Sequence, residues 1–171
     1  MGILKKIFNN TGKPEGFLGK LMLASMNTGH GAVSDWGMNC LPEIKLSVIA
    51  ELGCGGGRND AELLNRYPTA TLTALDYSPL AVEKAKEYNK SAIDTGRCDV
   101  VQGNVCSLLF ADHVLDLATA FETVYFWWGL ADYLRQAGFA EITVHRNEKK
   151  HWLCLVAGKK ITRGKRAQSQ N

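Results

Sequence analysis

Short apolar runs alternate with amphipathic segments through the middle of the chain. Runs rich in β-branched and aliphatic residues predict strands at 47–52, 71–75, 98–102 and 114–119. Apolar residues at helical spacing predict a helix at 57–67, and a second one that Ser78 caps and that stops near Gly96. Alternating strands and helices indicate an α/β fold with a mostly parallel sheet and helices on its faces.

The C-terminal part of the chain has a different pattern. A helix is predicted from Leu130 to Gln136, and two strands are predicted at 139–145 and 151–157. The polar turn between these strands is short enough for them to pair as an antiparallel hairpin. The predicted fold class is therefore α/β, a mostly parallel sheet with a C-terminal antiparallel hairpin.

Three segments follow from this pattern. Residues 1–28 form a predicted N-terminal helical lead, because apolar residues recur there at helical spacing. Residues 29–158 form the predicted main domain, which opens with a short helix at 33–41 that Pro42 ends. Residues 159–171 form a basic tail without acidic residues, which we predict to be disordered.

Composition narrows the function classes. The chain has 171 residues, of which 46% are hydrophobic and 22% charged, and this excludes a collagen, a long coiled coil and wholesale disorder. No apolar run is long enough for a membrane span, so no membrane partner is expected. The five basic residues of 159–171 account for the net charge of +3, and without them 15 basic residues face 17 acidic ones. The charge of the chain outside 159–171 therefore does not favour a nucleic-acid partner.

Cysteine usage indicates a reducing compartment. The chain has five cysteines and no C-x-x-C pair, which argues against both a disulfide framework and a zinc cluster. No metal site is expected. The N-terminus lacks a signal-peptide pattern, so the expected location is the cytoplasm.

The segment from Glu51 to Gly57 carries the strongest chemical signal. It reads E-L-G-C-G-G-G, follows a predicted strand and opens a predicted helix. Glycines there allow a sharp turn and a close approach to a ligand. Counted from Gly53, both a Walker loop and a dinucleotide fingerprint require glycine at position 58. This chain has Arg58 there, so both motifs are excluded. An acid two residues before Gly53 disfavours a pyrophosphate and suits a cationic amine.

Polar residues end the next two strands. Asp76 can accept hydrogen bonds from both ribose hydroxyls, or it can simply begin the turn before Ser78. Asn104 can meet an adenine edge, or it can be an ordinary loop residue. Together with Glu51, these positions indicate a ligand with an amino-acid end, a ribose and an adenine.

Four segments in order resemble the motifs of class I S-adenosylmethionine-dependent methyltransferases that act on small molecules. They are Glu51–Gly57, Ala74–Pro79, Val101–Val105 and Leu115–Glu122. The resemblance runs from about His30 to Trp128 and resumes from Leu130 to Gly158. It implies a Rossmann-like fold, S-adenosylmethionine as cofactor, S-adenosylhomocysteine as product and a small-molecule methyl acceptor.

The resemblance also implies roles for individual residues. The methionine part of the cofactor would lie against Glu51, Gly53, Cys54, Gly55 and Gly57. Asp76 would hold the ribose, Tyr77 would pack beside the adenine, and Asn104 and Val105 would close around it. Ala120, Phe121 and Glu122 would line the pocket floor, and His30 and Trp36 would belong to an N-terminal lid.

Methyl transfer requires no universal catalytic base, because alignment of the acceptor with the activated methyl group dominates. Three residues are candidates for a base by position: His30, Glu122 and Tyr125. Two of them have ordinary alternatives, since His30 can be a loop histidine and Glu122 a solvated loop acid.

The sequence departs from the family after the fourth strand. The family continues there with a helix, a turn and a fifth strand, whereas this chain passes from Tyr125 directly into the helix at Leu130. The architecture is therefore predicted to be shortened. Either the hairpin pairs with the fourth strand, or another subunit fills the open edge as a homo-oligomer.

Three functions follow in order of preference. The first is a methyltransferase of small molecules with reduced activity. The second is a non-catalytic cofactor-binding protein or partner subunit. Methylation of nucleic acid comes last, because the N-P-P-Y-like motif of DNA amino-methylating enzymes is replaced by Thr119–Glu122.

Overall fold

The computed structural model describes residues 31–123 and 129–159. The chain divides into two compact units, residues 1–125 and residues 126–171. The predicted helical lead at 1–28 lies outside the described residues, and so does the predicted basic tail except for Lys159. The boundaries predicted for the main domain remain predictions.

The first unit contains an α/β sheet with its helices. In chain order its elements are α1 (Gly31–Met38), β1 (Val48–Leu52), α2 (Arg58–Arg66), β2 (Thr71–Asp76), α3 (Pro79–Tyr88), α4 (Lys90–Asp94), β3 (Cys98–Gln102) and β4 (Leu117–Thr119). The strands lie in the order β3-β2-β1-β4, and every neighbouring pair is parallel. The predicted parallel sheet is confirmed.

Register brings the carboxyl ends of three strands together. Glu51 of β1 is aligned with Ala74 of β2 on one side and with Thr119 of β4 on the other. Because ligands of open parallel sheets bind beyond the carboxyl ends of the strands, the residues that follow β1, β2 and β4 share one edge.

The core of this unit lies between the sheet and its helices. Ile49, Leu63, Leu72 and Val100 are almost completely buried in it. Truncation of one of the larger of these side chains to Ala costs about 2–5 kcal/mol in comparable cores. The sheet edge that holds the site is therefore fixed by a packed interior.

The helix predicted from Ser78 to Gly96 is interrupted. Ser78 accepts a hydrogen bond from Ala81 N at 3.4 Å and Pro79 occupies the first turn, so the predicted cap is confirmed. Asn89 leaves the helical conformation and separates α3 from α4. Its side-chain amide donates hydrogen bonds outside the helix, to Gly57 O and Asp60 Oδ2.

Strand β4 is shorter than predicted, 117–119 instead of 114–119. Directly before this strand, Asp116 Oδ2 accepts hydrogen bonds from Ser47 N at 2.9 Å and Val48 N at 3.0 Å, and Asp116 N donates to Val48 O at 2.9 Å. Asp116 therefore ties the entry of β4 to the start of β1.

The second unit contains α5 (Leu130–Gln136) and a hairpin of β5 (Glu141–Asn147) and β6 (Trp152–Gly158). The hairpin strands are antiparallel, as predicted, with Glu141 aligned with Gly158 and Asn147 with Trp152. They form a two-stranded sheet of their own. Within 129–159 no residue is fully buried.

None of the helices in the described ranges combines the length and the apolar character that crossing a bilayer requires.

Candidate cofactor site

The glycine-rich loop joins β1 to α2 and is tied to the neighbouring strand. Gly53 N and Cys54 N both donate hydrogen bonds to Leu75 O, at 2.7 and 3.1 Å. Gly57 N donates to Cys54 O at 3.0 Å and closes a turn before α2 begins. These bonds fix the loop at the carboxyl end of the sheet.

Two glycines in this loop are required for different reasons. Gly53 has φ 85°, and a Cβ added there would lie 2.3 Å from Thr123 Cγ2, so the space is already filled. Gly55 has φ 54°, but an added Cβ would meet no atom within 4 Å among the described residues. Gly55 therefore faces an open space that a ligand can occupy.

Asp76 connects the end of β2 to this loop. Its Oδ2 accepts a hydrogen bond from Gly55 N at 3.0 Å, and its Oδ1 accepts one from Ser78 N at 2.9 Å. The carboxylate therefore does begin the turn before Ser78, and it also supports the glycine-rich loop. Each carboxylate oxygen retains a second acceptor position for a ligand.

Glu51 is completely buried beneath the loop. A hydrogen bond joins its Oε2 to the Thr119 hydroxyl of β4, whereas Oε1 is buried without a partner among the described residues. Burial raises the pKa of the Glu51 carboxyl well above its usual range, and the charge of Asp60 raises it further. A cationic ligand group would stabilise the ionised form of this carboxyl.

A cleft opens between α1, the glycine-rich loop and the segment after β4. Its lining consists of Gly31, Ser34, Gly53, Cys54, Gly55, Gly56, Arg58, Asn59, Phe121 and Glu122. Arg58 Nη2 donates to Asp35 Oδ1 at 2.6 Å, and this ion pair links α2 to α1. A Cβ on Gly37 of α1 would lie 3.0 Å from Phe121 Cε1, so Phe121 packs against the same helix.

Most residues predicted for the methionine end are brought together here. Gly53, Cys54 and Gly55 line the cleft, and Glu51 lies buried at the end of β1; Phe121 and Glu122, predicted for the pocket floor, line the cleft as well. Burial and the neighbouring acids raise the pKa of the Cys54 thiol, so this side chain is a small neutral group. Gly57 does not line the cleft but packs against α3.

The residues predicted for the adenine end lie outside the cleft lining. Tyr77 and Val105 are 47% and 48% exposed. Asn104 is exposed and its Oδ1 accepts a hydrogen bond from Cys106 N at 2.9 Å, so it forms a turn of its own. Ala120, predicted for the pocket floor, is exposed and also lies outside the cleft lining. Their predicted cofactor roles stay predictions.

Of the three candidate bases, the structure describes one. Glu122 lines the cleft and has φ 54°, a conformation that side chains rarely adopt. His30 and Tyr125 lie outside the described residues. His30 directly precedes Gly31, which lines the cleft, and Trp36 is half-buried on α1.

Several polar residues at the site were missed by the sequence reasoning. They are Ser34, Arg58 and Asn59 in the lining, and Asp60, Asn89 and Thr119 behind it. Arg58 and Asn59 could have been found, since they directly follow the glycines. Thr119 and Asn89 could not, because they lie 68 and 32 residues from the loop residues they bond.

The described part of the chain shows no group of three or more His, Cys, Asp or Glu placed to hold a metal. All five cysteines are free thiols.

A family comparison identifies this arrangement. The sequence model of the methyltransferase domain family matches residues 49–143, more than half of the chain, from the second residue of β1 to the third residue of β5. The chain belongs to the class I S-adenosylmethionine-dependent methyltransferases. The resemblance drawn from the four motifs is confirmed, and S-adenosylmethionine is the cofactor of this family.

Individual methyltransferases match only parts of the chain. Trans-aconitate 2-methyltransferase of Streptomyces coelicolor is 34% identical over 84 residues, which are 49% of this chain and 27% of that enzyme. Ribosomal RNA large subunit methyltransferase G of Shewanella amazonensis is 34% identical over 70 residues, 40% of this chain and 18% of that enzyme. The matched segments therefore span about a quarter or less of these two relatives.

A solved structure supports the Rossmann-like fold. A Methanococcus maripaludis protein assigned as an S-adenosyl-L-methionine-dependent methyltransferase has a TM-score of 0.54 and 24% identity, covering 69% of this chain and 55% of that one. The predicted fold class is confirmed.

The residues present fit the cofactor of the family. A buried carboxylate oxygen of Glu51 has no partner among the described residues, and this suits the cationic amino group of a methionine moiety. The open space at Gly55 admits a ligand against the backbone. Both features lie at the same end of the sheet.

Proposed function

We propose that the chain binds S-adenosylmethionine at this edge and transfers its methyl group to a small-molecule acceptor. The observation that carries the proposal is the link between two acids and one loop: Asp76 holds Gly55 N, while Glu51 lies beneath the same loop with one unbonded oxygen. A bend flanked by acids disfavours phosphates and favours a ligand with an ammonium and a sugar diol.

Each end of the cofactor has proposed partners. Glu51 and the loop residues Gly53, Cys54, Gly55 and Gly57 would bind the methionine end. Asp76 would accept the ribose hydroxyls at its remaining acceptor positions. At the adenine end, Tyr77, Asn104 and Val105 would contact the base, and Ala120 would line the pocket floor.

The bound cofactor supplies a methyl group already activated by its sulfonium. The chain contributes alignment and exclusion of water. For an oxygen or nitrogen acceptor, we propose that Glu122 takes the proton, which its position in the cleft lining supports. His30 and Tyr125 remain the other proposed candidates.

Two observations support a small acceptor that carries negative charge. Arg58 lines the cleft with its guanidinium bound by Asp35 through one nitrogen only, and Nη1 has no partner among the described residues. One relative is named for methylation of trans-aconitate. Trans-aconitate is therefore the first acceptor to test.

A second candidate is a non-catalytic cofactor-binding protein or partner subunit that completes its sheet with another copy. In the described residues, β4 pairs on one side only, and no side chain of the second unit is fully buried. An unpaired edge beside an apolar core favours association. The homo-oligomer predicted from the altered edge would meet this requirement.

Methyl release from labelled S-adenosylmethionine tests the first proposal, with trans-aconitate, other small acids and RNA as acceptors. Transfer to a small acid, abolished in Glu51→Gln, supports it. Binding of S-adenosylhomocysteine without turnover, together with a dimer in light scattering, favours the second candidate. RNA binding that falls steeply with salt would instead favour nucleic acid.

We also propose a cytoplasmic location. Five free thiols, of which Cys106 is exposed, are compatible with a reducing compartment.

A further inference from the structure

The side-chain amide of Asn89 is buried where α3 ends, and only 3% of the residue is exposed. Its Nδ2 lies 2.8 Å from Gly57 O, 3.1 Å from Ala85 O and 3.2 Å from Asp60 Oδ2. Two of these neighbours are carbonyl oxygens, so the amide nitrogen must face them. The amide thus donates across to the loop and to α2 at the same time.

The contact reaches the glycine-rich loop at its last glycine. Gly57 has φ 84°, and a Cβ added there would lie 2.6 Å from Asn89 Nδ2 and 2.7 Å from Ala85 Cα. The loop end is therefore pressed directly against α3. Since Gly57 N also closes the turn on Cys54 O, the position of Gly57 sets the turn that presents Gly55.

Asp60 holds the other side of the amide. It lies in the first turn of α2 and is completely buried, and its Oδ1 has no partner among the described residues. A neutral amide of the same shape would fill this space without placing an acid in the interior. Packing alone does not account for a carboxyl here.

Among the described residues, Asp60 interacts electrostatically with the acids Asp76 and Glu51 and with the neutral thiols of Cys54 and Cys98. Burial and then the charge of Asp76 raise the pKa of Asp60 to about 7. The charge of Asp60 in turn raises the pKa of Glu51, of Cys54 and of Cys98, the last to about 12 when its own burial is included. Asp60 therefore gains its negative charge near neutral pH, and its carboxylate lies 3.2 Å from the Asn89 amide that bonds to Gly57.

We propose that Asn89 and Asp60 form a buried positioning pair that holds the Gly57 end of the loop in its cofactor-binding geometry. Neither side chain touches the cofactor, and the inference rests on the proposed function of the loop. An ionised Asp60 accepts the Asn89 amide more strongly than the neutral acid does. The loop is then held more firmly, and cofactor affinity rises, as the pH rises through about 7.

The experiment is calorimetric titration of the full chain with S-adenosylhomocysteine at about pH 6 and about pH 8, beside thermal melts. The variants are Asn89→Ala, Asp60→Asn and, as a control, Lys90→Ala, whose exposed ammonium pairs with Asp94. We expect Asn89→Ala to weaken binding about tenfold or more. In Asp60→Asn the change in affinity between the two pH values should be smaller than in the wild type, with only the contribution of Glu51 left, and Lys90→Ala should match the wild type.

The results separate the two hypotheses. Wild-type protein that releases no heat with S-adenosylhomocysteine overturns the proposed function and this inference with it. Wild-type protein that binds, with Asn89→Ala binding equally well or Asp60→Asn keeping the wild-type pH dependence, overturns the positioning pair alone. Should Asn89→Ala fail to fold, the pH dependence of Asp60→Asn decides, because that variant preserves the side-chain shape.

Discussion

The Asp76 carboxylate accepts a hydrogen bond from Gly55 N at 3.0 Å, and this single bond joins the end of β2 to the loop that follows β1. The two residues are 21 positions apart in the chain. Their contact turns two separate sequence motifs into one site, because it places the acid and the open face of the loop at the same sheet edge.

An added methyl group should have different effects at the two loop glycines Gly55 and Gly57. Gly55→Ala places its Cβ in open space and carries only the cost of a positive φ, about 1–2 kcal/mol. Gly57→Ala carries the same cost and also collides with Ala85 Cα. We expect Gly55→Ala to fold but to bind S-adenosylhomocysteine weakly, and Gly57→Ala to melt well below the wild type. Calorimetry and thermal melts check both, and equal melting temperatures for the two variants would contradict the geometry.

Ionisation of the buried Asp60 should destabilise the folded state in a pH-dependent way. Its folded-state pKa of about 7 lies above the value of 3.8 for an ordinary Asp, so the folded state favours the neutral acid. The cost is absent below about pH 4, grows as the pH rises towards 7 and is constant above that. Asp60→Asn should therefore melt above the wild type at about pH 8, by about 2–4 °C for each kcal/mol relieved, and the gain should vanish near pH 4. A gain that is the same at both pH values would show that Asp60 does not titrate as described.

Loss of the Arg97 side chain should lower the free energy of unfolding more than loss of an exposed ion pair does. Its Nη2 donates to Leu64 O, Tyr67 O and Ala70 O at 2.9, 3.2 and 3.3 Å, and so satisfies carbonyls around the end of α2. Arg97→Ala should cost about 2–3 kcal/mol in the free energy of unfolding, because those carbonyls lose a charged donor.

The matched control for Arg97 is Arg135→Ala, which removes an exposed pair with Asp132 and should cost less than about 1 kcal/mol. Urea denaturation measures both variants. Equal costs would mean that the bonds to the carbonyls contribute nothing beyond a surface ion pair.

Substitution of Arg58 should weaken ligand binding without a matching loss of stability. Its ion pair with Asp35 is partly exposed, so Arg58→Gln should change the free energy of unfolding by no more than about 1 kcal/mol. The same change removes a cation from the cleft lining and releases α1 from α2, so affinity for S-adenosylhomocysteine or for an anionic acceptor should fall severalfold. Lys84→Gln, which breaks an exposed pair with Glu87 on α3, is the control. Affinities unchanged for both ligands would remove Arg58 from the site.

Local motifs were sufficient to predict the fold and to bring the glycine-rich loop and Asp76 to one edge of the sheet. The loop begins at the carboxyl end of β1 and Asp76 ends β2, and the carboxyl ends of neighbouring parallel strands lie at the same edge of a sheet. The cofactor roles of these residues stay predictions. The cap at Ser78 is equally local.

Contacts distant in sequence could not be predicted. Asn89 looked like an interior helix residue, but its amide bonds to Gly57 and Asp60, and the helix ends there. Directly before β4, the Asp116 side chain bonds to backbone donors at the start of β1. In each case a side chain bonds to a distant partner that periodicity does not reveal.

The central claim is that Glu51 and Asp76 together select an adenosyl amino acid. Titration of S-adenosylhomocysteine into Glu51→Gln and Asp76→Ala tests it most directly, with Asp99→Asn, an exposed acid on β3, as the control. We predict that the wild type and the control bind alike and that each of the other variants loses at least about tenfold in affinity, as expected when a bond to a charged group is removed. Wild-type affinity in both Glu51→Gln and Asp76→Ala would contradict the assignment of the site.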